Sequence, residues 1–143
     1  MHLDEINRRI IELLKADARL PLKTLAAEVG LARSSVRERI DRMEKAGIIR
    51  GYHADIAPEA MGAALQAHLL VRLTKTPARD TVSRIIRLPG VTACASLTGD
   101  TDLIVSVSVA DTEALNRLRD TIASLPHIAD LTTAIVLRDE MRG

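Results

Sequence analysis

Between Arg33 and Lys45 the chain places hydroxyls, guanidinium groups and a carboxylate on one side of a helical repeat, a chemistry suited to reading the edges of stacked bases. Val36, Ile40 and Met43 recur at i, i+4 and i+7 and predict a buried stripe. Opposite them stand Ser34, Glu38 and Lys45, flanked by Ser35, Arg37, Asp41 and Arg42. Short hydroxyls and guanidinium forks reach base edges and phosphates, and a Glu accepts from a cytosine amine. The candidate DNA-contacting set is therefore Arg33, Ser34, Ser35, Arg37, Glu38, Arg39 and Arg42. Arg39 lies nearest the apolar stripe, which leaves two roles open to it, bracing the fold or touching phosphate. The competing reading of this face is a solvated helix side laced by i,i+4 ion pairs such as Glu38 with Arg42.

A helix with this pattern needs another to present it. Leu22, Leu25, Ala26 and Val29 share one face of a preceding helix. Gly30 can leave that helix in a left-handed conformation, and Leu31 can plug the turn. Upstream, Leu3 to Ala18 reads as a third amphipathic helix, with Ile6, Ile10, Leu13 and Leu14 inward and Asp4 and Glu5 at its positive end. Gly47 ends the reading helix, and Ile48 to Ile56 reads as short extended structure around Gly51, a wing. Pro58 to Gly62 is turn-rich and marks a boundary.

From Leu65 the period changes from helical to alternating. Leu65 to Leu73 predicts a strand, and a helix after Pro77 turns Val82, Ile85 and Ile86 inward. Strands follow at Val91 to Leu97 and Leu103 to Val109, joined by the turn Gly99-Asp100-Thr101-Asp102. Asp111 or Thr112 caps a helix striped by Leu115, Leu118 and Ile122, and a last strand runs from Leu131 to Leu137. The order β-α-β-β-α-β predicts a ferredoxin-like sheet with both helices on one face, giving an α+β chain. Leu69, Val71, Val105, Val107, Ile135 and Leu137 should meet those helices. The other face carries Gln66, His68, Leu70, Arg72, Ile104, Ser106, Ser108, Thr132, Ala134 and Val136. It is poor in charge for a solvated surface, and an isologous homodimer through it is the expectation.

Composition agrees. Of 143 residues, 47% are hydrophobic and 27% charged, so a disordered or collagen-like chain is excluded. Aromatic residues make up 1%, Tyr52 alone, which leaves almost no platform for stacking single-stranded bases and points to duplex DNA rather than RNA. The net charge is only +1, so the basic character must be local. Around the reading helix Arg33, Arg37, Arg39, Arg42, Lys45 and Arg50 outnumber Glu38, Asp41 and Glu44. Cys94 is alone and excludes an internal disulfide; no leader or long apolar run is visible, so a cytoplasmic location is expected. His53, His68 and His127 lack ligand spacing, and neither a metal site nor a cofactor is expected.

The ordered set of motifs resembles the Lrp/AsnC, or feast/famine, transcriptional regulators over essentially the whole chain. It comprises Leu3-Asp4, Ile10-Ile11-Glu12-Leu13-Leu14, Asp17-Ala18-Arg19 and Leu25-Ala26-Ala27-Glu28-Val29-Gly30-Leu31. Val36, Arg39, Ile40, Met43-Glu44, Gly47-Ile48-Ile49, Gly51-Tyr52, Leu88-Pro89-Gly90-Val91, Thr98-Gly99-Asp100-Thr101-Asp102 and Leu125-Pro126 continue it. The resemblance implies a winged helix-turn-helix DNA-binding domain over 1–52, a linker over 53–64, and a ligand-sensing and dimerisation domain over 65–143. It implies an effector, usually an amino acid, held between dimers that assemble to tetramers or octamers, near the Gly-Asp-x-Asp turn. Backbone amides around Gly99 suit a carboxylate, and Asp100 and Asp102 suit an ammonium. Thr98, Thr132 and Thr133 could add hydroxyls from neighbouring strand ends, which completes the expected effector set. The same turn without a ligand is an ordinary hairpin.

The chain departs from the family pattern at three places. Asn7 stands where a second acid is usual, Ala32 where Ser or Thr caps the reading helix, and Thr101 where the effector turn commonly carries an aromatic. Two alternatives to an effector-responsive regulator exist: a DNA-binding oligomer with a vestigial site, and an enzyme like the sirohaem decarboxylases built on this scaffold. The enzyme needs convergent His and basic residues, and this chain offers no clustered His-Arg set, so it is expected not to be an enzyme.

Overall fold

In the computed structural model, which describes residues 3–140, the chain forms two compact units, Met1–Asp55 and Ile56–Gly143. Residues 1–2 and 141–143, the outer ends of the two expected domains, lie outside the described residues.

The first unit is three helices around an aliphatic centre. α1 (Glu5–Ala16) starts at Asp4, whose side chain accepts the Asn7 backbone N–H at 2.7 Å. α2 (Leu22–Val29) ends at Gly30, left-handed at φ 67°, and the Leu31 N–H closes back on the Ala26 carbonyl at 3.1 Å. A side chain at Gly30 would meet no neighbour, so glycine is required there by its backbone angle alone. α3 (Arg33–Lys45) follows two residues later. Ile10, Leu25, Ala26, Val36 and Met43 are buried at the centre, with Ile6, Leu13, Leu14, Leu31 and Ile40 packed around them. The three expected stripes thus meet in one core.

The expected wing takes a different form. Ile48 and Ile49 donate their N–H groups back to the Met43 carbonyl at 2.9 and 3.2 Å, which winds the chain around the end of α3. No strand lies in the first unit among the described residues, because the following segment has no second strand to pair with.

The second unit is a four-stranded antiparallel sheet in the order β2-β3-β1-β4. Its elements are β1 (Leu65–Leu73), α4 (Arg79–Ile85), β2 (Val91–Ser96), β3 (Leu103–Val109), α5 (Thr112–Ala123) and β4 (Ile128–Ile135). Asp111 caps α5 by accepting the Ala114 N–H at 2.8 Å, as expected. Leu69, Val71, Val105 and Val107 are buried against Ile85, Leu115, Leu118 and Ile122, and Cys94 packs at the margin of the same core. Gly90 lies so close to β3 that a Cβ would sit 3.1 Å from Val109 and 3.3 Å from the Ser108 carbonyl.

Two details correct the sequence-based expectation. β4 begins three residues earlier and ends two earlier than expected, because its partner β1 sets the register: Leu73 opposes Ile128 and Ala67 opposes Ile135. The chain passes the start of β1 soon after, so Leu137 is 96% exposed and Ile135 44%, and neither fills the core; Ile128 and Leu131 pack against it instead. Ile86 is 54% exposed, since α4 closes at Ile85 and the next residue turns off the stripe. Leu69→Ala should therefore lower unfolding stability by about 2–5 kcal/mol, whereas Leu137→Ala should stay within about 0.5 kcal/mol of wild type. Urea denaturation followed by circular dichroism measures both.

Candidate DNA-reading face and effector cleft

α3 presents the polar residues that its sequence pattern predicts. Arg33, Ser34, Arg37, Glu38 and Arg42 are exposed, and Ser35 is half-buried. At about 100° per residue, Ser34, Glu38, Asp41 and Lys45 fall within roughly 60° of one another, with Arg37 and Arg42 on either flank. Ala32, at the start of α3, offers no side-chain cap. The first N–H groups of the helix are thus left to solvent or to a phosphate oxygen. Glu38 meets Arg42 only at 3.8 Å, a loose surface contact that salt and water weaken further. The helix face is therefore free to exchange these partners for bases and phosphates.

Arg39 stands apart from that set. Its Nη1 donates to Asp4 Oδ2 at 2.6 Å and to Asn7 Oδ1 at 3.0 Å, and its side chain is 22% exposed. Of the two roles open to it, the geometry selects the brace: the guanidinium ties α3 to the start of α1. Asn7 is buried at 4% exposure and takes the place of a second acid as a neutral acceptor. Asp4 is consequently the one charged partner of Arg39 among the described residues. The Arg39 hydrogen bond, and after it the Asn7 backbone N–H, hold the Asp4 carboxyl below its ordinary value of 3.8.

Tyr52, the lone aromatic, donates its hydroxyl to Glu44 at 2.7 Å and lines a groove with Leu14, Leu22, Ile40 and Asp41. Burial, then the bond to Glu44, pushes its phenol up to about 12. Tyr52 thus fastens the residues after α3 to the end of that helix.

In the second unit, Thr98, Gly99 and Asp100 are exposed on the β2–β3 turn. Asp102 is half-buried, and its Oδ2 accepts the Leu73 N–H at 2.7 Å, which pins the hairpin to the end of β1. Its other oxygen has no protein partner among the described residues. Thr132 and Thr133 do not join the turn. They lie on β4, separated from β3 by the whole of β1, and oppose Leu70 and Leu69, so their side chains leave opposite faces of the sheet. The Thr133 hydroxyl is buried without a partner on the helix side. The six residues of the expected effector set therefore do not form one site within one protomer.

The sequence reading missed a different feature beside the turn. An open cleft of about 720 Å³ runs between α4 and the β2–β3 hairpin. Leu73, Val82, Ile86, Leu97 and Leu103 form aliphatic walls, with Arg79, Ser96 and Asp102 at the polar positions. Two exposed hydrophobics, Ile86 and Leu97, belong to it. The available signal was the consecutive pair Ile85-Ile86, of which a helix that closes at Ile85 buries only the first. No group of three or more His, Cys, Asp or Glu that could hold a metal occurs among the described residues.

The brace has a titration signature. Because the folded pKa of Asp4 is depressed, its stabilising effect is present at neutral pH and lost as pH falls through the folded value. In an NMR pH titration the Asp4 carboxyl should titrate below 3.8 in the wild type and move up towards that value in Arg39→Gln. An unchanged Asp4 in the variant contradicts the brace.

Comparison with known proteins matches the AsnC-type helix-turn-helix domain at residues 3–44 and the Lrp/AsnC ligand binding domain at residues 66–142. The HTH-type transcriptional regulator FL11 of Pyrococcus abyssi is 34% identical over 136 residues, covering 95% of this chain and 90% of that protein. A transcriptional regulator from Neisseria meningitidis, solved in complex with L-methionine, superimposes with a TM-score of 0.89 at 30% identity, over 97% of this chain and 92% of that one. The feast or famine regulatory protein from M. tuberculosis, also complexed with L-methionine, gives 0.90 at 31% identity, over 97% and 95%. With a reading helix braced and exposed in one unit and a one-sided sheet in the other, the chain belongs to the Lrp/AsnC family of DNA-binding transcriptional regulators.

Proposed function

We propose that this regulator binds duplex DNA as a homodimer, or as a tetramer or octamer assembled from dimers, and that an amino acid with an aliphatic side chain controls it. Arg33, Ser34, Ser35, Arg37, Glu38 and Arg42 contact DNA in this reading, and Arg39 acts behind them. The observation that carries the effector reading is Asp102. One of its oxygens is fixed by the Leu73 N–H and the other is free, at the edge of an aliphatic cleft. A fixed carboxylate suits an α-ammonium group. Backbone amides near Gly99, or the Arg79 guanidinium, suit the carboxylate of the same ligand. The walls of Leu73, Val82, Ile86 and Leu97 suit a hydrocarbon or thioether side chain. Two related structures hold L-methionine, a ligand of that kind.

The dimer reading rests on the sheet face that no helix covers. Leu70, Ile104 and Val136 are half-buried there beside small or neutral neighbours, with Arg72 at its edge. His68 spends its Nδ1 on the Ser106 hydroxyl at 3.2 Å. A second copy laid on this surface repeats the same pairs about a two-fold axis. Such a dimer presents two reading helices to half-sites one helical turn apart or a multiple of it. The regulator then works beside the chromosome, in the cytoplasm.

A thermal-shift screen against the twenty amino acids tests the effector. A ligand at a hundredfold excess over its Kd adds about 2.7 kcal/mol, a readable shift for a protein of this size. An aliphatic amino acid should raise the Tm of the wild type and fail to do so for Asp102→Asn, which keeps an acceptor for Leu73 but not the charge. A flat screen contradicts the effector reading and leaves assembly alone to regulate DNA binding.

A further inference from the structure

The acids on α3 are not equivalent. Glu44 is engaged by the Tyr52 hydroxyl at 2.7 Å, and Asp41 lines the groove that Tyr52 walls. Glu38 stands on the exposed polar face, on the side of Arg42, its side chain 71% exposed, one turn after Ser34 and one turn before Arg42. A carboxylate there approaches a polyanion, and it loses water and meets repulsion unless a donor receives it. The major-groove edge offers two base donors, cytosine N4 and adenine N6. Adenine sets its N7 lone pair beside N6, which opposes a second carboxylate oxygen. Cytosine presents only a C–H beside N4, and its paired guanine adds the acceptors O6 and N7. The Glu38–Arg42 pair is an acceptor next to a donor, the complement of that pattern, and its 3.8 Å contact is loose enough to open onto it.

We propose that Glu38 is a specificity-determining residue, accepting the N4 amine of a cytosine in each half-site, with Arg42 taking the guanine of the same or the adjacent pair. This rests on the reading that α3 enters the major groove, and it adds which base pair is chosen and by which side chain. Glu38 also acts against other sequences, since at a thymine its carboxylate faces the O4 acceptor.

Selection from a randomised duplex library, with the full chain and with Glu38→Gln and Glu38→Ala, tests it. The wild type should enrich a cytosine at one position of the half-site. Replacing that C·G pair by T·A should weaken binding about tenfold. Glu38→Gln should move the preference at that position towards adenine, which a Gln amide pairs through N6 and N7. Glu38→Ala should flatten that position alone while its neighbours keep their preferences. A merely structural Glu38 would shift affinity at every position and redirect none. Identical preferences in all three proteins overturn the proposal while leaving groove entry by α3 intact. A wild type that enriches no sequence overturns groove reading by α3, and the Glu38 assignment with it.

Discussion

The reading helix is held from behind by one guanidinium. α3 has no side-chain cap at its start, and Ile48 and Ile49 wind back on its last turn without forming a sheet. What orients it is the apolar seam of Val36 and Met43, and beside that seam the bonds from Arg39 to Asp4 and Asn7. Apolar packing is non-directional and tolerates small rotations. A guanidinium held by two oxygens on a neighbouring helix is directional and does not. At the same time Asp4 caps α1, so one carboxylate both starts the first helix and anchors the third. The rotation of Ser34, Glu38 and Arg42 towards a groove follows from that joint.

The second unit is governed by a different constraint. A sheet with both helices on one face must either wet its other face or cover it with protein. Here that face is too small and too neutral for water to be its natural neighbour, which is why a second copy is the reading we favour. The same geometry leaves the β2–β3 hairpin projecting, tied down by the bond from Leu73 to Asp102. In the function proposed above, a ligand lodged against that hairpin and α4 would alter a surface through which copies can meet, and so would act on DNA affinity through assembly. Such coupling is reciprocal: whatever the effector does to DNA affinity, DNA does to effector affinity.

Much of this was legible in the chain because it rests on periodicity. Five helical stripes and four strand segments carried the architecture, and the Gly30 turn located the helix-turn-helix. The strand boundary at Leu137 was not legible, because it depends on where the partner strand begins, a fact outside the segment's own pattern. Ile86 reads as core by spacing, and only the short length of α4 exposes it. The role of Arg39 was ambiguous on the helical wheel, since its partners lie 32 and 35 residues away. That Thr132 and Thr133 do not join the turn within one protomer was hidden for the same kind of reason: adjacent residues on a strand point to opposite faces, and β1 intervenes. The cleft went unseen because it is formed jointly by four separated segments, none of which has a signature of its own.

The most direct measurement is the affinity of the full chain for its selected duplex as a function of salt. Arginines that neutralise phosphates release counterions, so log K should fall linearly with log salt, with a slope of about −0.9 for each phosphate contacted. Our account predicts a steep slope in the wild type and a shallower one, by about 1 per subunit engaged, in Arg37→Ala. Binding that ignores salt, or a slope that Arg37→Ala leaves unchanged together with Arg33→Ala and Arg42→Ala, would contradict the assignment of α3 as the DNA-reading helix.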